Sequence, residues 1–146
     1  MRIDAAGINF IANQEGFRSK PYVCPAGKLT VGYGHVIGPT EKQRFAGGIT
    51  KEEAELLLEK DLDKYAAAVN KFVQKPLNQG QFNSLVSFCY NVGITAFARS
   101  TLVRKLNDGD YEGAAGEFQR WVNGGGRRLA GLVKRRQLEA LMFRGK

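Results

Sequence analysis

Apolar residues recur with different spacings along the chain, and each spacing predicts a different structural element. Up to Gly16 the spacing is helical, which predicts one short helix at the N-terminus. Over residues 17–37 strand-forming residues prevail, with the turn sequence PAGK at 25–28 between them. This second pattern predicts a hairpin or a small sheet.

A long helix is predicted to follow. Thr50 and Glu53 have the spacing of a capping box, which marks the start of a helix. Apolar residues then recur at intervals of four and three, at Leu58, Leu62, Tyr65, Val69 and Phe72. The pattern predicts a helix from Lys51 to Val73, about 35 Å long at the α-helical rise per residue, and Pro76 bars its extension.

The rest of the chain is predicted to be helical, interrupted by NDGD (107–110) and NGGG (123–126). The expected fold class is therefore α+β. We expect one domain over residues 1–146, with a small antiparallel sheet lobe over about 15–49, the long helix over about 51–73, and a helical lobe over about 77–146 on which the first helix packs.

Charge and cysteine content limit the possible partners and compartments. The 22 Lys and Arg against 14 Asp and Glu give a net charge of +8, which favours an anionic partner such as nucleic acid, a membrane surface or a bacterial cell wall. Two cysteines without metal-ligand spacing indicate neither a disulfide framework nor a zinc site. We find no signal-peptide pattern and no membrane-spanning apolar run, and expect synthesis in the cytoplasm.

Several motifs have both a functional and a structural interpretation. His35, the one histidine, is either a base for Cys24 or a structural residue tied to an acid, and we favour the second with Asp61 as the acid. GYGHVIG (32–38) departs from the dinucleotide-binding spacing and predicts a turn. Trp121 at helical spacing is typical of a core position, Cys89 of a small buried hydrophobe, and KRR (134–136) of a solvated helix face.

The stretch EGFRSKPYVCPAGKLTVGYGH (15–35) places eight residues between Glu15 and Cys24 and five between Cys24 and Thr30. It resembles the catalytic signature of the phage lysozymes, glycoside hydrolase family 24, in which Asp or Cys takes the middle position. ITKEEAELLLEKDL, PLNQGQFNSLVSFCYNVG (76–93) and GLVKRRQLEAL (131–141) extend the resemblance over nearly the whole chain.

The resemblance implies a lysozyme-like fold with a substrate cleft between its lobes, and an endolysin muramidase that cuts the β-1,4 bond between N-acetylmuramic acid and N-acetylglucosamine. It implies Glu15 as general acid, Cys24 and Thr30 as positioners of a water for an inverting hydrolysis, and Val36 and Tyr90 in the sugar cleft. It implies no cofactor and no metal. The implied partner is peptidoglycan, without nucleic acid or stable membrane insertion, for a monomer that waits in the host cytoplasm until a holin opens the membrane.

The role of Cys24 and the reaction itself leave alternatives. The thiol can act as base, electrostatic partner or water clamp, and the neighbouring Arg18, Lys20 and Lys28 are expected to lower its pKa from about 8.5. A lytic transglycosylase would share the substrate but form an anhydro sugar. A non-enzymatic basic binding module, or membrane disruption by the C-terminal helix, would need no Glu15.

Overall fold

The computed structural model describes all residues, 1–146, and divides into two compact units. One unit comprises Ile8–Asp63, and the other comprises Met1–Gly7 and Lys64–Lys146. The helices are α1 (Ala5–Glu15), α2 (Lys42–Phe45), α3 (Lys51–Phe72), α4 (Gln79–Val92), α5 (Ile94–Ala98), α6 (Thr101–Asn107), α7 (Tyr111–Glu117) and α8 (Ala130–Phe143), with one 3-10 turn at Phe118–Arg120. The strands are β1 (Arg18–Val23), β2 (Leu29–Gly32), β3 (His35–Val36), β4 (Asn123–Gly124) and β5 (Arg127–Arg128).

The unit Ile8–Asp63, which we call the sheet unit, is built on an antiparallel sheet of order β1-β2-β3. Its core is formed by Val31, Ile37 and Phe45, and partly buried Leu29, Ile49 and Leu57 pack against them. Because Leu29 and Val31 are two residues apart on β2, they share one face of the sheet, and this is the face that the core covers. The other face of β2 is left for Thr30.

The second unit, which we call the helical unit, has an aromatic centre. The ring of Phe88 on α4 meets Phe97, Phe118 and Trp121 edge-on, with ring centroids 6.2, 5.3 and 5.5 Å away. Trp121, predicted as a core residue, packs against this centre through Phe88 but is only half-buried. Asn78 caps α4 through a capping box with Gln81.

A buried ion cluster joins α4 and α8 within the helical unit. Glu139 is fully buried and accepts hydrogen bonds from Ser87, at 2.5 Å, and from both Arg135 and Arg136. The prediction that KRR (134–136) lies on a solvated helix face is therefore wrong for its two arginines, which are 5% and 0% exposed. Glu139, one helical turn further on, forms an ion pair with each of them, and i,i+3 and i,i+4 spacing makes that pairing possible.

The α+β class is confirmed. The helix predicted from Lys51 to Val73 spans Lys51–Phe72, and the hydrogen bonds between Thr50 and Glu53 form the predicted capping box. The short helices α2 and α5 were not predicted. NGGG (123–126), predicted only as an interruption of the helical region, forms the β4–β5 hairpin together with the two arginines that follow it, with Asn123 opposite Arg128.

Candidate functional site

Glu15 is the last residue of α1, immediately before the chain enters the sheet. Gly16 then takes a φ of +73°, a left-handed conformation that glycine adopts without strain, and ends the helix. Phe17 packs on buried Tyr33 with ring centroids 5.7 Å apart, which fixes the junction of α1 and β1. The glutamate, itself half-buried, is thereby held at a defined place beside the sheet.

Cys24 lies in the tight turn between β1 and β2. Its backbone N–H donates to the carbonyl of Lys28 at 2.9 Å, and its carbonyl accepts from the N–H of Gly27 at 2.8 Å. Gly27 closes the turn with a φ of +80°. The turn leaves the thiol half-exposed and unbonded to any other cysteine.

Thr30 occupies the middle of the sheet, opposite Tyr22 on β1 and Val36 on β3. Directly opposed residues of antiparallel strands point to the same face, so the three side chains form one row on the face away from the core. Thr30 is 2% exposed in the centre of this row, whereas Val36 at its end is 50% exposed. The Thr30 hydroxyl donates to the Lys28 carbonyl at 2.9 Å, which ties it to the turn that carries Cys24.

The pKa of the Cys24 thiol lies below its ordinary value. The main cause is a hydrogen bond from the Lys28 backbone; burial acts in the opposite direction, and Ala26 and Thr30 add smaller lowering contributions. The expected lowering is thus present, but it comes from the turn and from Thr30 rather than from basic side chains. The Thr30 hydroxyl has a single proton, which can be donated either to the Lys28 carbonyl, 2.9 Å away, or to a Cys24 thiolate.

His35 has the structural role that the sequence favoured. Its Nδ1 lies 2.7 Å from an Asp61 carboxylate oxygen, which confirms the predicted partner, and its Nε2 lies 3.3 Å from Glu41. Asp61 raises the pKa of His35 by its hydrogen bond, burial opposes this, and Glu41 adds to it. Because both ring nitrogens of His35 contact carboxylates, the histidine holds β3 in place and is not free to act as a base for Cys24.

The structure therefore places four of the five predicted site residues in the sheet unit: Glu15, Cys24, Thr30 and Val36. Tyr90 belongs to α4 in the helical unit, where its half-buried ring packs edge-on against Tyr65 with centroids 5.0 Å apart. No group of three or more His, Cys, Asp or Glu side chains is arranged to hold a metal ion. None of the helices combines the length and hydropathy that crossing a bilayer requires.

Two features of the site were not found from the sequence. Glu41, the second carboxylate that contacts His35, also accepts a hydrogen bond from the N–H of Gly38 at 2.9 Å. In the sequence, only the position of Glu41 three residues after Gly38 indicated this contact. The Arg18 guanidinium lies 4.4 Å from the ring centroid of Tyr22, beside Thr30. In the sequence, only the spacing of four residues between Arg18 and Tyr22 within a strand-forming segment indicated that the two side chains could meet.

Comparison with known proteins identifies the family and the fold. The Phage lysozyme family matches residues 12–139. The chain is 43% identical over 147 residues to the endolysin of Acyrthosiphon pisum secondary endosymbiont phage 1, covering 98% of each protein. It spans about half the length of a further relative, the endolysin of Bacillus phage B103.

Solved structures share the whole fold. The muramidase domain of SpmX from Asticaccaulis excentricus superposes with a TM-score of 0.88 at 38% identity, covering 97% of each chain. A P22 lysozyme mutant superposes with a TM-score of 0.86 at 35% identity, covering 98% of each. The architecture is thus that of a lysozyme-like α+β glycosidase. The chain belongs to the phage lysozyme family, as its resemblance predicted.

Proposed function

We propose that the chain is an endolysin muramidase that hydrolyses the β-1,4 bond between N-acetylmuramic acid and N-acetylglucosamine in peptidoglycan. The observation that carries the proposal is the link between Cys24 and Thr30. A thiol of lowered pKa and a buried hydroxyl share the Lys28 backbone and lie in the same unit as Glu15. Membership of a glycoside hydrolase family gives this arrangement its reaction class.

In the proposed reaction, Glu15 donates its proton to the leaving oxygen as the bond to the anomeric carbon breaks. A water held by Cys24 and Thr30 attacks that carbon from the opposite ring face, and its proton passes to the thiolate or to solvent. The carboxylate of Glu15 then regains a proton from solvent. Attack from the opposite face inverts the anomeric configuration.

The first test measures turbidity loss of outer-membrane-permeabilised Gram-negative cells, with mass spectrometry of the released sugars. Glu15→Gln removes the proton donor, and we expect a loss of about 10²–10⁴-fold, as for other general acids. Glu59→Gln is the matched control, because Glu59 is exposed in the same unit, and it should clear cells like the wild type. Equal clearing by Glu15→Gln would contradict the proposal.

The products separate hydrolysis from transglycosylation. Hydrolysis leaves a reducing N-acetylmuramic acid, whereas a transglycosylase leaves an anhydro sugar. Proton NMR of the first product should show the α-anomer if the reaction inverts. A β-anomer would retain the muramidase assignment and overturn the water-positioning roles of Cys24 and Thr30.

We further propose that residues 1–146 act as a single monomeric lysozyme domain that reaches the wall from the host cytoplasm after a holin-type opening of the membrane. Support comes from the absence of a membrane-spanning helix among the described residues. Expression in Escherichia coli should leave growth unchanged until chloroform permeabilises the inner membrane, and lysis should then follow at once. Spontaneous lysis of unpermeabilised cells would show another export route.

A further inference from the structure

The face of the sheet that carries Thr30 extends beyond the predicted site residues. On β1, Tyr22 lies opposite Thr30 and is half-buried, so its ring borders the same row. Arg18 lies four residues before Tyr22 on the same strand, and it pairs with Gly32 where Tyr22 pairs with Thr30. Because Thr30 and Gly32 are two residues apart on β2, the residues opposite them share one face of the sheet. An irregularity in the β1–β2 pairing falls between them and lets them approach.

Arg18 is held in place but is not neutralised. Its guanidinium carbon lies 4.4 Å from the centroid of the Tyr22 ring, a cation–π stack. The side chain is exposed, and no carboxylate of the protein forms an ion pair with it. The ring contact positions the guanidinium, and the exposure of the side chain leaves its N–H donors available to a carboxylate.

Other basic side chains of the sheet unit lack this combination. Arg44 also stacks on an aromatic ring, that of Phe45, but its guanidinium is within 4.0 Å of Glu41 and it lies on α2, away from the row. Lys20 and Lys28 are exposed and stack on no ring. Arg18 alone in this unit is positioned by an aromatic ring, lacks an acidic partner, and shares a sheet face with Thr30.

We propose that Arg18, positioned by Tyr22, binds a carboxylate of the substrate next to the bond that is cut, and so makes the enzyme selective for acidic glycan strands. This inference rests on the proposed muramidase function. Peptidoglycan offers two sources of carboxylate at each muramic acid: the stem peptide, or the lactyl group once the peptide is removed. Arg18 is then a binding residue and Tyr22 a positioning residue.

The test compares native peptidoglycan with the same material after carbodiimide coupling of its carboxyl groups to glycinamide, which removes their charge. For the wild type, coupling should lower kcat/KM about tenfold, as for loss of one charge-assisted hydrogen bond. Arg18→Gln should already have this lower kcat/KM on native material, mainly through a higher KM. Coupling should then lower its kcat/KM by less than about twofold. Lys42→Gln removes an equally exposed charge in the same unit and should behave like the wild type.

Amidase-treated strands identify the source of the carboxylate. They lack stem peptides but expose lactyl carboxylates, which are uncharged amides in native peptidoglycan. Discrimination between wild type and Arg18→Gln that is present on native strands and lost on treated strands would assign the stem peptide alone. Discrimination that persists on treated strands would show that Arg18 also binds the lactyl carboxylate. Tyr22→Phe retains the ring and should retain discrimination. Tyr22→Leu releases the guanidinium and should raise KM about threefold with kcat unchanged.

Equal losses on coupling for wild type and Arg18→Gln would overturn the proposal. Discrimination that survives Tyr22→Leu would overturn the positioning role of the ring. Failure of the underlying function looks different: the wild type would then release no reducing sugar from native peptidoglycan.

Discussion

The buried carboxylate of Glu139 offers a sharp test of how the helical unit is held together. Its Oε2 accepts from Ser87 at 2.5 Å and from Arg135 at 3.3 Å, and its Oε1 accepts from Arg136. The Arg136 Nε continues the network to the Trp121 carbonyl at 3.0 Å. Glu139→Gln keeps the shape of the side chain and removes its charge. Whichever way the new amide is turned, its NH₂ group faces a guanidinium N–H that needs an acceptor.

The size of the expected loss in the free energy of unfolding follows from the burial of Glu139. Glu139 and Arg136 are both 0% exposed, so water cannot replace the lost acceptor. Removing one member of a buried ion pair typically costs about 3–5 kcal/mol, a large share of the roughly 5–15 kcal/mol that stabilises a domain. With a urea dependence of about 2 kcal/mol per molar, the midpoint should fall by about 1.5–2.5 M.

Urea unfolding followed by far-UV circular dichroism measures this directly. Glu112→Gln is the matched control, because it breaks an ion pair with another arginine just beyond α8, Arg144, at 2.9 Å, but with Glu112 78% exposed. Exposed pairs contribute about 0–1 kcal/mol, so the control should shift the midpoint by less than about 0.5 M. If Glu139→Gln also lost less than about 1 kcal/mol at an unchanged denaturant slope, the reasoning from burial would be refuted.

Three further results are expected. The raised pKa of His35 means that its bond to Asp61 stabilises the fold fully below about pH 6.5 and loses this effect as pH rises through the raised pKa. Asp61→Asn should therefore unfold more easily than the wild type at pH 6 and converge with it at higher pH, and a constant difference in melting temperature would disagree. Iodoacetamide should label half-exposed Cys24 in the native protein but spare Cys89, whose pKa burial raises to about 12; two adducts by mass spectrometry before denaturation would contradict this. Gly48→Ala should cost about 1–3 kcal/mol in urea unfolding, because φ is +90° there and the new Cβ would stand 2.8 Å from a backbone carbonyl of β1, so an unchanged midpoint would count against that strain.

Long elements were predictable because their signals are local and repeated. The helix Lys51–Phe72 has a capping box at one end, a proline beyond the other, and an uninterrupted apolar stripe between them. The helices α2 and α5, with four and five residues, are too short for any period to show. Their existence depends on tertiary packing, as shown by the burial of Phe45 and Phe97, one in each helix.

Residues of the candidate site could be predicted from the sequence only where the residue type and its spacing along the chain were informative. Features that depend on three-dimensional contacts could not be predicted. Glu15, Cys24 and Thr30 were proposed through the family spacing, and Asp61 was named as the acidic partner of His35 on the predicted long helix. The lowered pKa of Cys24 was expected for the wrong cause, because its main source is a backbone group at Lys28. Side-chain composition cannot show which backbone groups a turn will direct at a thiol.

The excess positive charge of the protein and the residues of its proposed catalytic site belong to different units. The helical unit carries fifteen Lys and Arg against six Asp and Glu, an excess of nine, whereas the sheet unit carries seven against eight. The basic character is thus not a property of the unit with Glu15, Cys24 and Thr30. The proposed discrimination by Arg18 fits this distribution, because the unit around that guanidinium has no excess of positive charge that would attract every anionic substrate alike. Attraction to an anionic wall is diffuse and screened by salt, while selection of the bond to be cut depends on a few fixed groups.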